Sequence, residues 1–169
     1  MVRTFRLKKS LVIFTLALAF GAGCGRMTTY TKPNAPWRTI QKVAVTPFSL
    51  SMENSTRQQL VTQLFAEQLR KTGLFEVTEV PSSTLAVVPL SVQEVARKYE
   101  VDAVFTGSVD NFAGTMVHIQ LHDPATQEVL WSGTYSLGVG AEFFSIHTQQ
   151  QQFQKSLQKL VNELSRRRF

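Results

Sequence analysis

From residue 40 onward, apolar residues recur at two spacings, one typical of strands and one typical of helices. Residues 40–48 (IQKVAVTPF) place Val43 and Val45 on one face of a strand, because alternate side chains point to the same side. Residues 75–80 (FEVTEV) alternate apolar and polar positions and predict a second strand. Three more strands are predicted at residues 102–109, 115–121 and 129–137, and the first of these is apolar enough to be central in a sheet.

Helices are predicted between and after these strands. Residues 55–58 (STRQ) and 91–94 (SVQE) are capping boxes, which satisfy the exposed amide groups at the start of a helix. Gly73 supplies the left-handed residue that ends the first of these helices. Residues 148–168 predict a long final helix, whose apolar stripe is Phe153, Leu157, Leu160, Val161 and Leu164.

The resulting order is β-α-β-α-β-β-β-α, which defines an α/β (α+β) fold. Strands separated by helices pair in parallel through right-handed crossovers, whereas strands joined by tight turns pair antiparallel. Asp123 and Pro124 fit the first two positions of a type I turn between the fourth and fifth strands. We therefore expect a mixed sheet of about five strands with the helices packed against it.

The first 23 residues have the pattern of an export signal. Four basic residues and no acid lie within residues 1–9, an apolar run follows at 11–20, and small residues at 21–23 precede Cys24. Cys24 is the only cysteine, and a lone thiol in an exported protein calls for an explanation. The segment resembles a bacterial lipobox, which implies that residues 1–23 are a lipoprotein signal peptide and that Cys24 is acylated, for example by palmitate.

Two glycines beside the cysteine bear on this resemblance. Gly21 stands where a lipobox usually has Leu, so ordinary cleavage near residues 17–19, leaving Cys24 as a free thiol, stays open. Gly25 follows the cysteine, where an Asp usually retains Gram-negative lipoproteins at the inner membrane. The resemblance therefore implies a lipid anchor on the periplasmic face of the outer membrane.

The rest of the chain has the length of one domain. Residues 24–39 comprise Cys24, whose acylation the lipobox resemblance implies, and a segment with two prolines and no periodicity, which predicts a tether that would reach about 50 Å if fully extended. Residues 40–169 predict a single domain. The net charge of +6 falls to +2 without the leader, because 14 basic and 12 acidic residues remain. This small excess argues against a nucleic-acid partner.

The sequence offers no catalytic or metal-binding pattern. His118 and His122 alternate with apolar residues, so they lie on a strand about 13 Å apart, too far for one metal ion. No glycine-rich phosphate loop or nucleophile motif occurs. We therefore expect neither an enzyme nor a bound cofactor or metal.

Aromatic residues suggest contact with a membrane. Phe143 and Phe144 are adjacent in the connection before the last helix. They either pack against the core at the helix start or insert into the membrane interface or a protomer contact. Trp37 lies in the predicted tether, where it would sit at head-group depth or cap the edge of the first strand.

Four stretches of the chain resemble a family of envelope proteins. KVAVTPF, LRKTGLFEVTEV, YEVDAVFTGSVDNF and LHDPATQEVLWSGTY are similar to the periplasmic domain shared by CsgG-like, LpoB-like and TolB-N-like proteins, over about residues 40–166. Asp123, Thr126 and Trp131 match the family's Asp-x-x-Thr-Gly turn and its Val-x-Trp stretch, whereas Gln127 replaces the glycine. The resemblance implies binding and assembly rather than catalysis.

A compact lipoprotein with one such domain is most similar to the PelC-like lipoproteins of Pel exopolysaccharide export. This resemblance implies a homo-oligomeric collar that guides a cationic polysaccharide of a biofilm toward an outer-membrane export pore. Asp102, Asp110 and Glu142 are then candidates for lining the channel. The alternative is a monomeric lipoprotein that binds and activates a periplasmic enzyme such as a peptidoglycan synthase.

Overall fold

A mixed sheet of seven strands lies at the centre of the computed structural model, which describes residues 26–50, 55–82, 90–110, 116–136 and 146–167. The strand order across the sheet is β1-β7-β6-β5-β2-β4, with β3 beside β5. The strands are β1 (Arg26–Thr31), β2 (Lys42–Val45), β3 (Ser49–Leu50), β4 (Glu76–Glu79), β5 (Ala103–Val109), β6 (Met116–His122) and β7 (Val129–Ser136). The helices are α1 (Ser55–Thr72), α2 (Val92–Tyr99) and α3 (Ile146–Arg167).

The predicted mixed sheet with packed helices is confirmed. Strand β2 pairs in parallel with both β4 and β5, as the intervening helices α1 and α2 require. Strands β5, β6 and β7 form an antiparallel meander. Gly73 has the predicted left-handed backbone, with φ 65°, and its N–H donates to the carbonyl of Arg70 at 3.0 Å.

The structure differs from the sequence prediction within residues 24–39. Arg26–Thr31 is not a tether but an edge strand, β1, which pairs antiparallel with β7 from Arg26 opposite Ser136 to Thr31 opposite Trp131. The strand has no buried apolar face, so its formation rests on main-chain hydrogen bonds to β7, and period-two apolar alternation could not reveal it.

The main core lies between the sheet and the helices α1 and α3. Four phenylalanine rings meet there in tilted or edge-to-face contacts, with neighbouring centroids 5.3–6.2 Å apart, namely Phe48, Phe65, Phe105 and Phe75. Gly107 is needed beneath this cluster, because a Cβ there would lie 2.5 Å from the Phe48 ring. Phe153, Leu157, Leu160, Val161 and Leu164 supply the α3 side of the core, as their spacing predicts.

A smaller core lies on the opposite face of the sheet. Val95 and Ala96 of α2 are buried there with Val80 and with Ala44 and Val104 of the sheet. Helix α2 thus packs on β2 and the beginning of β5.

The turn after β6 keeps a left-handed residue although its glycine is missing. Gln127 has φ 62°, and its N–H donates to the carbonyl of Asp123 at 2.8 Å. The Asp123 carboxylate accepts hydrogen bonds from the Ala125 N–H at 2.8 Å and from the Thr126 hydroxyl at 3.0 Å. Glu128 forms an ion pair with Lys32, which joins the turn to the chain after β1.

Candidate functional site

Four strands begin or end at the same end of the sheet. Strand β1 begins at Arg26, which is opposite Ser136, the last residue of β7, and Ser136 is also opposite Met116, the first residue of β6. Asp110 follows β5, and its N–H donates to the carbonyl of Met116 at 3.1 Å. We call the end of the sheet formed by Arg26, Asp110, Met116 and Ser136 the upper end, and the opposite end the lower end.

The candidate lipidation residue lies just before the upper end in sequence. Cys24 itself is outside the described residues, but only Gly25 separates it from Arg26. A two-residue step spans at most about 7 Å. An anchor on Cys24 would therefore lie within about 7 Å of the start of β1, rather than at the end of a long tether.

Three other candidates, Glu142, Phe143 and Phe144, also lie outside the described residues. Their segment, residues 137–145, leaves the sheet at Ser136 of the upper end and precedes α3. Exposed apolar side chains among the described residues of this end belong to Met27, which is 38% exposed, and Met116, which is 40% exposed.

Trp37 lies at the lower end of the sheet. It follows β1 in the connection to β2, is half-buried and packs against the main core. The six residues of β1 separate the two ends by about 20 Å. Trp37 therefore lies against the main core near the start of β2, away from the upper end.

The acidic candidates Asp102 and Asp110 lie at opposite ends of β5. Eight residues separate them, which corresponds to about 26 Å along the strand. Asp110 is exposed at the upper end. At the lower end, one carboxylate oxygen of Asp102 accepts hydrogen bonds from the N–H groups of Gln41 and Lys42, both at 2.8 Å. Asp102 thus fastens the start of β2 beside β5, a structural task that the sequence did not reveal.

The two strand histidines are half-buried and bonded to threonines of neighbouring strands. Nδ1 of His118 lies 2.8 Å from the hydroxyl oxygen of Thr134, and Nε2 of His122 lies 3.0 Å from that of Thr106. Burial lowers the pKa of His122 below its usual value of 6.5, and a hydrogen bond to the Gln127 backbone opposes this shift. The cross-strand pairs with Thr134 and Thr106 thus give the two imidazoles a fixed geometry on the sheet.

Neither a metal site nor a membrane-spanning helix is found in the described part of the chain. No three His, Cys, Asp or Glu side chains of these residues are grouped so that they could hold a metal ion. None of the described helices combines the length and apolar character that crossing a bilayer requires.

Comparison with solved structures identifies the fold class. The chain has a PelC-like lipoprotein fold, which confirms the resemblance indicated by its sequence motifs. The PelC dodecamer from Paraburkholderia phytofirmans matches 82% of this chain and 95% of its own, with a TM-score of 0.58 and 18% identity. A variant of that dodecamer matches 80% of this chain and 96% of its own, with a TM-score of 0.58 and 19% identity.

A second lipoprotein shares the fold. Lipoprotein GNA1162 from Neisseria meningitidis matches 73% of this chain and 96% of its own, with a TM-score of 0.50 and 15% identity. None of these three structures is named for an enzymatic activity. No family model and no curated protein matches the chain.

Proposed function

We propose that this chain is an outer-membrane lipoprotein that forms an oligomeric periplasmic collar of an export machine for a Pel-type exopolysaccharide. The observation that carries the proposal is the PelC-like fold over 82% of the chain, together with the dodecameric state of the PelC structure. The leader and Cys24 supply the export signal and the anchor. An outer-membrane export pore is the expected partner.

The position of β1 supports a defined orientation of the domain on the membrane. Because Cys24 is two residues from Arg26, acylation would hold the upper end of the sheet against the bilayer. The exposed side chains of Met27 and Met116 would then meet the lipid interface, while Arg26 would meet anionic head groups. Trp37, at the lower end, is not part of this proposed membrane face.

The anchor is tested by replacing its acceptor. We expect the wild-type chain to incorporate radiolabelled palmitate and to sediment with outer membranes, and Cys24→Ser to lose both properties. If the wild-type chain is instead found in the soluble periplasm with a thiol that reacts with maleimide, ordinary cleavage is correct and the lipoprotein proposal fails.

The adjacent phenylalanines are proposed to touch lipid. The double variant Phe143→Ser/Phe144→Ser should then bind vesicles more weakly while its thermal unfolding is unchanged. Phe153→Ser is the matched control, because Phe153 is buried in the main core and its truncation should cost about 3–5 kcal/mol. A comparable loss of stability in the double variant would show that these residues belong to the core.

The collar is tested against the monomeric regulator by cross-linking in cells. Leu60 on α1 is 38% exposed and apolar, so a photo-reactive amino acid there would sample a neighbouring surface. Adducts between two copies of the chain would support the collar. Adducts only with a periplasmic enzyme, at one-to-one stoichiometry, would support the regulator and contradict the collar. Asp110 and Glu142 remain the proposed channel-lining acids, whereas the hydrogen bonds of Asp102 to the start of β2 give it a structural task.

A further inference from the structure

The strand β4 forms one edge of the sheet, and its outer side carries main-chain groups that no neighbouring strand satisfies. The N–H of Val80, just after β4, donates to the carbonyl of Val45 in β2 at 2.9 Å. Because successive residues of a strand direct their main-chain groups to opposite sides, those of Val77 and Glu79 face the outer edge. A sheet edge of this kind is a template for pairing with a strand of another chain.

A guanidinium group closes this edge. Arg70, in the last turn of α1, donates from Nη2 to the outward carbonyl of Val77 at 3.3 Å, and its Nη1 lies 2.6 Å from Oε1 of Glu79. The Arg70 side chain is 46% exposed, and an ion pair at such a surface position adds little to stability. It does, however, lie across the edge where a further strand would have to pair.

The outer side of β1, at the other edge of the sheet, has no such cover among the described residues. The N–H of Lys32 donates to the carbonyl of Leu130 at 2.8 Å, so alternate residues of β1 face β7, and the main-chain groups of Met27, Thr29 and Thr31 face outward. Natural edge strands are commonly protected by proline, by a bulge or by very short length. Strand β1 has six residues, no proline and a regular register, so its edge is able to accept a strand.

The open edge of one copy and the guarded edge of another are complementary. Strand β1 runs from the upper to the lower end, whereas β4, which is parallel to β2, runs from the lower to the upper end. Two copies side by side would therefore bring these strands together antiparallel. Strand β1 begins with Arg26 and is followed by Lys32, whereas β4 contains Glu76 and Glu79, so their charges attract. The strand that best fits the edge of β1 is thus β4 of a second copy.

Such pairing would be harmful to a chain that is anchored at Cys24. The contact is heterologous, so each added copy leaves a further free edge. Six strands lie along the path from β1 to β4. Because neighbouring strands are twisted by about 20–25°, each copy would be turned by about 120° or more relative to the one before. The upper ends of successive copies could then not face one bilayer.

We propose that Arg70 guards the edge of β4 and thereby prevents it from pairing with β1 of a second copy. The guanidinium occupies the Val77 carbonyl that an added strand would need, and it compensates the Glu79 carboxylate that would attract β1. The guard does not depend on the collar, and the proposed anchor enters only through the harm that edge pairing would do. A collar would be built from surfaces other than these two edges.

Arg70→Ala tests the guard in the full acylated chain in detergent micelles, with the mass distribution measured by analytical ultracentrifugation over a range of protein concentrations. We expect this variant to form polymers whose mean mass rises with concentration to at least about 10-fold that of the wild type. Lys71→Ala is the matched control, because Lys71 pairs with Glu67 of the same helix at 2.7 Å, and it should sediment like the wild type.

A second substitution shows whether β1 is the partner strand. Thr29→Pro removes an outward N–H but none of the hydrogen bonds to β7, and proline is tolerated at such positions of an edge strand. Added to Arg70→Ala, it should restore the mass distribution of the wild type. In hydrogen exchange, the amides of residues 26–31 should be more protected in the Arg70→Ala polymers than in the wild type.

Two results overturn the proposal. One is a wild-type mass distribution for Arg70→Ala, and the other is polymers that persist in Arg70→Ala/Thr29→Pro when thermal unfolding shows that Thr29→Pro is folded. If Thr29→Pro does not fold, Arg26→Glu takes its place, because it reverses a charge that attracts the acids of β4, and undiminished polymers then overturn the proposal. The subunit number of the wild type tests the collar by itself, so the two proposals fail separately.

Discussion

At the scale of the residue, Gln127 shows what a motif comparison can and cannot predict. The sequence placed a type I turn at Asp123 and Pro124 and has Gln127 where the family's turn has glycine. The structure keeps the left-handed residue, with φ 62° at Gln127. The Asx hydrogen bonds of Asp123 hold the turn and so keep Gln127 in a left-handed conformation, which is strained for a residue with a Cβ. The residue type alone did not reveal this strain.

This strain predicts that Gln127→Gly stabilises the protein by about 1 kcal/mol, since glycine adopts a left-handed backbone without steric cost. Urea denaturation of the two proteins measures the difference. Ala125→Gly is the control, because Ala125 has no positive φ. This variant should be less stable than the wild type, since glycine adds conformational freedom to the unfolded chain. A destabilised Gln127→Gly variant would contradict the account of the turn.

His122 predicts a stability change with pH. Its pKa is lowered by burial, so the unfolded chain takes up a proton at higher pH than the folded chain does. The contribution is therefore fully present above about pH 6.5 and is lost as the pH falls toward the lowered folded pKa. The pKa values of three glutamates are also lowered, but their contribution to stability is lost only below about pH 4.5, the usual pKa of this side chain. They are Glu67, Glu94 and Glu128.

His122→Gln should accordingly flatten the dependence of the unfolding free energy on pH between 6.5 and 5, measured by denaturation at each pH. His118→Gln serves as the matched variant and should keep the slope that His122 causes. An unchanged slope in His122→Gln would mean that burial of this imidazole is not the source.

At the scale of the element, the strength of the sequence pattern decided what could be predicted. Strands with a buried face and helices with capping boxes were found, because burial imposes a period of two or 3.6 on the apolar residues. Strand β1 was missed because Arg26–Thr31 buries no apolar side and is defined by its partner β7. Strand β3, with two residues, is too short for any period to appear.

Asp102 offers a test of how two parallel strands are held together. Asp102→Ala removes the acceptor of the Gln41 and Lys42 N–H groups and should lower the unfolding free energy by about 1–2 kcal/mol. Asp102→Asn keeps an acceptor oxygen and should lose less than half of that. Chemical denaturation distinguishes the two variants. If both are as stable as the wild type, the carboxylate does not fasten β2, and a role for its charge in the channel becomes the better account.

At the scale of the whole molecule, the fold class followed from the order of elements, whereas the placement of the candidate sites did not. The direction of each strand depends on the pairing register, so the sequence could not show that Arg26, Asp110, Met116 and Ser136 share one end. The sequence also could not show that Trp37 and Asp102 lie at the lower end of the sheet. The sequence did single out Cys24, because a lone cysteine after an export signal can be recognised without knowledge of the tertiary structure.

The measurement that tests the central claim most directly is the subunit number of the acylated full-length chain in nanodiscs, by native mass spectrometry over a range of protein concentrations. A PelC-like collar predicts one discrete, large oligomer whose subunit number does not change on dilution, because a heterologous contact that closes into a ring satisfies every copy. A monomer at all concentrations, in the membrane as in solution, would contradict the collar and leave the chain as a single-copy lipoprotein.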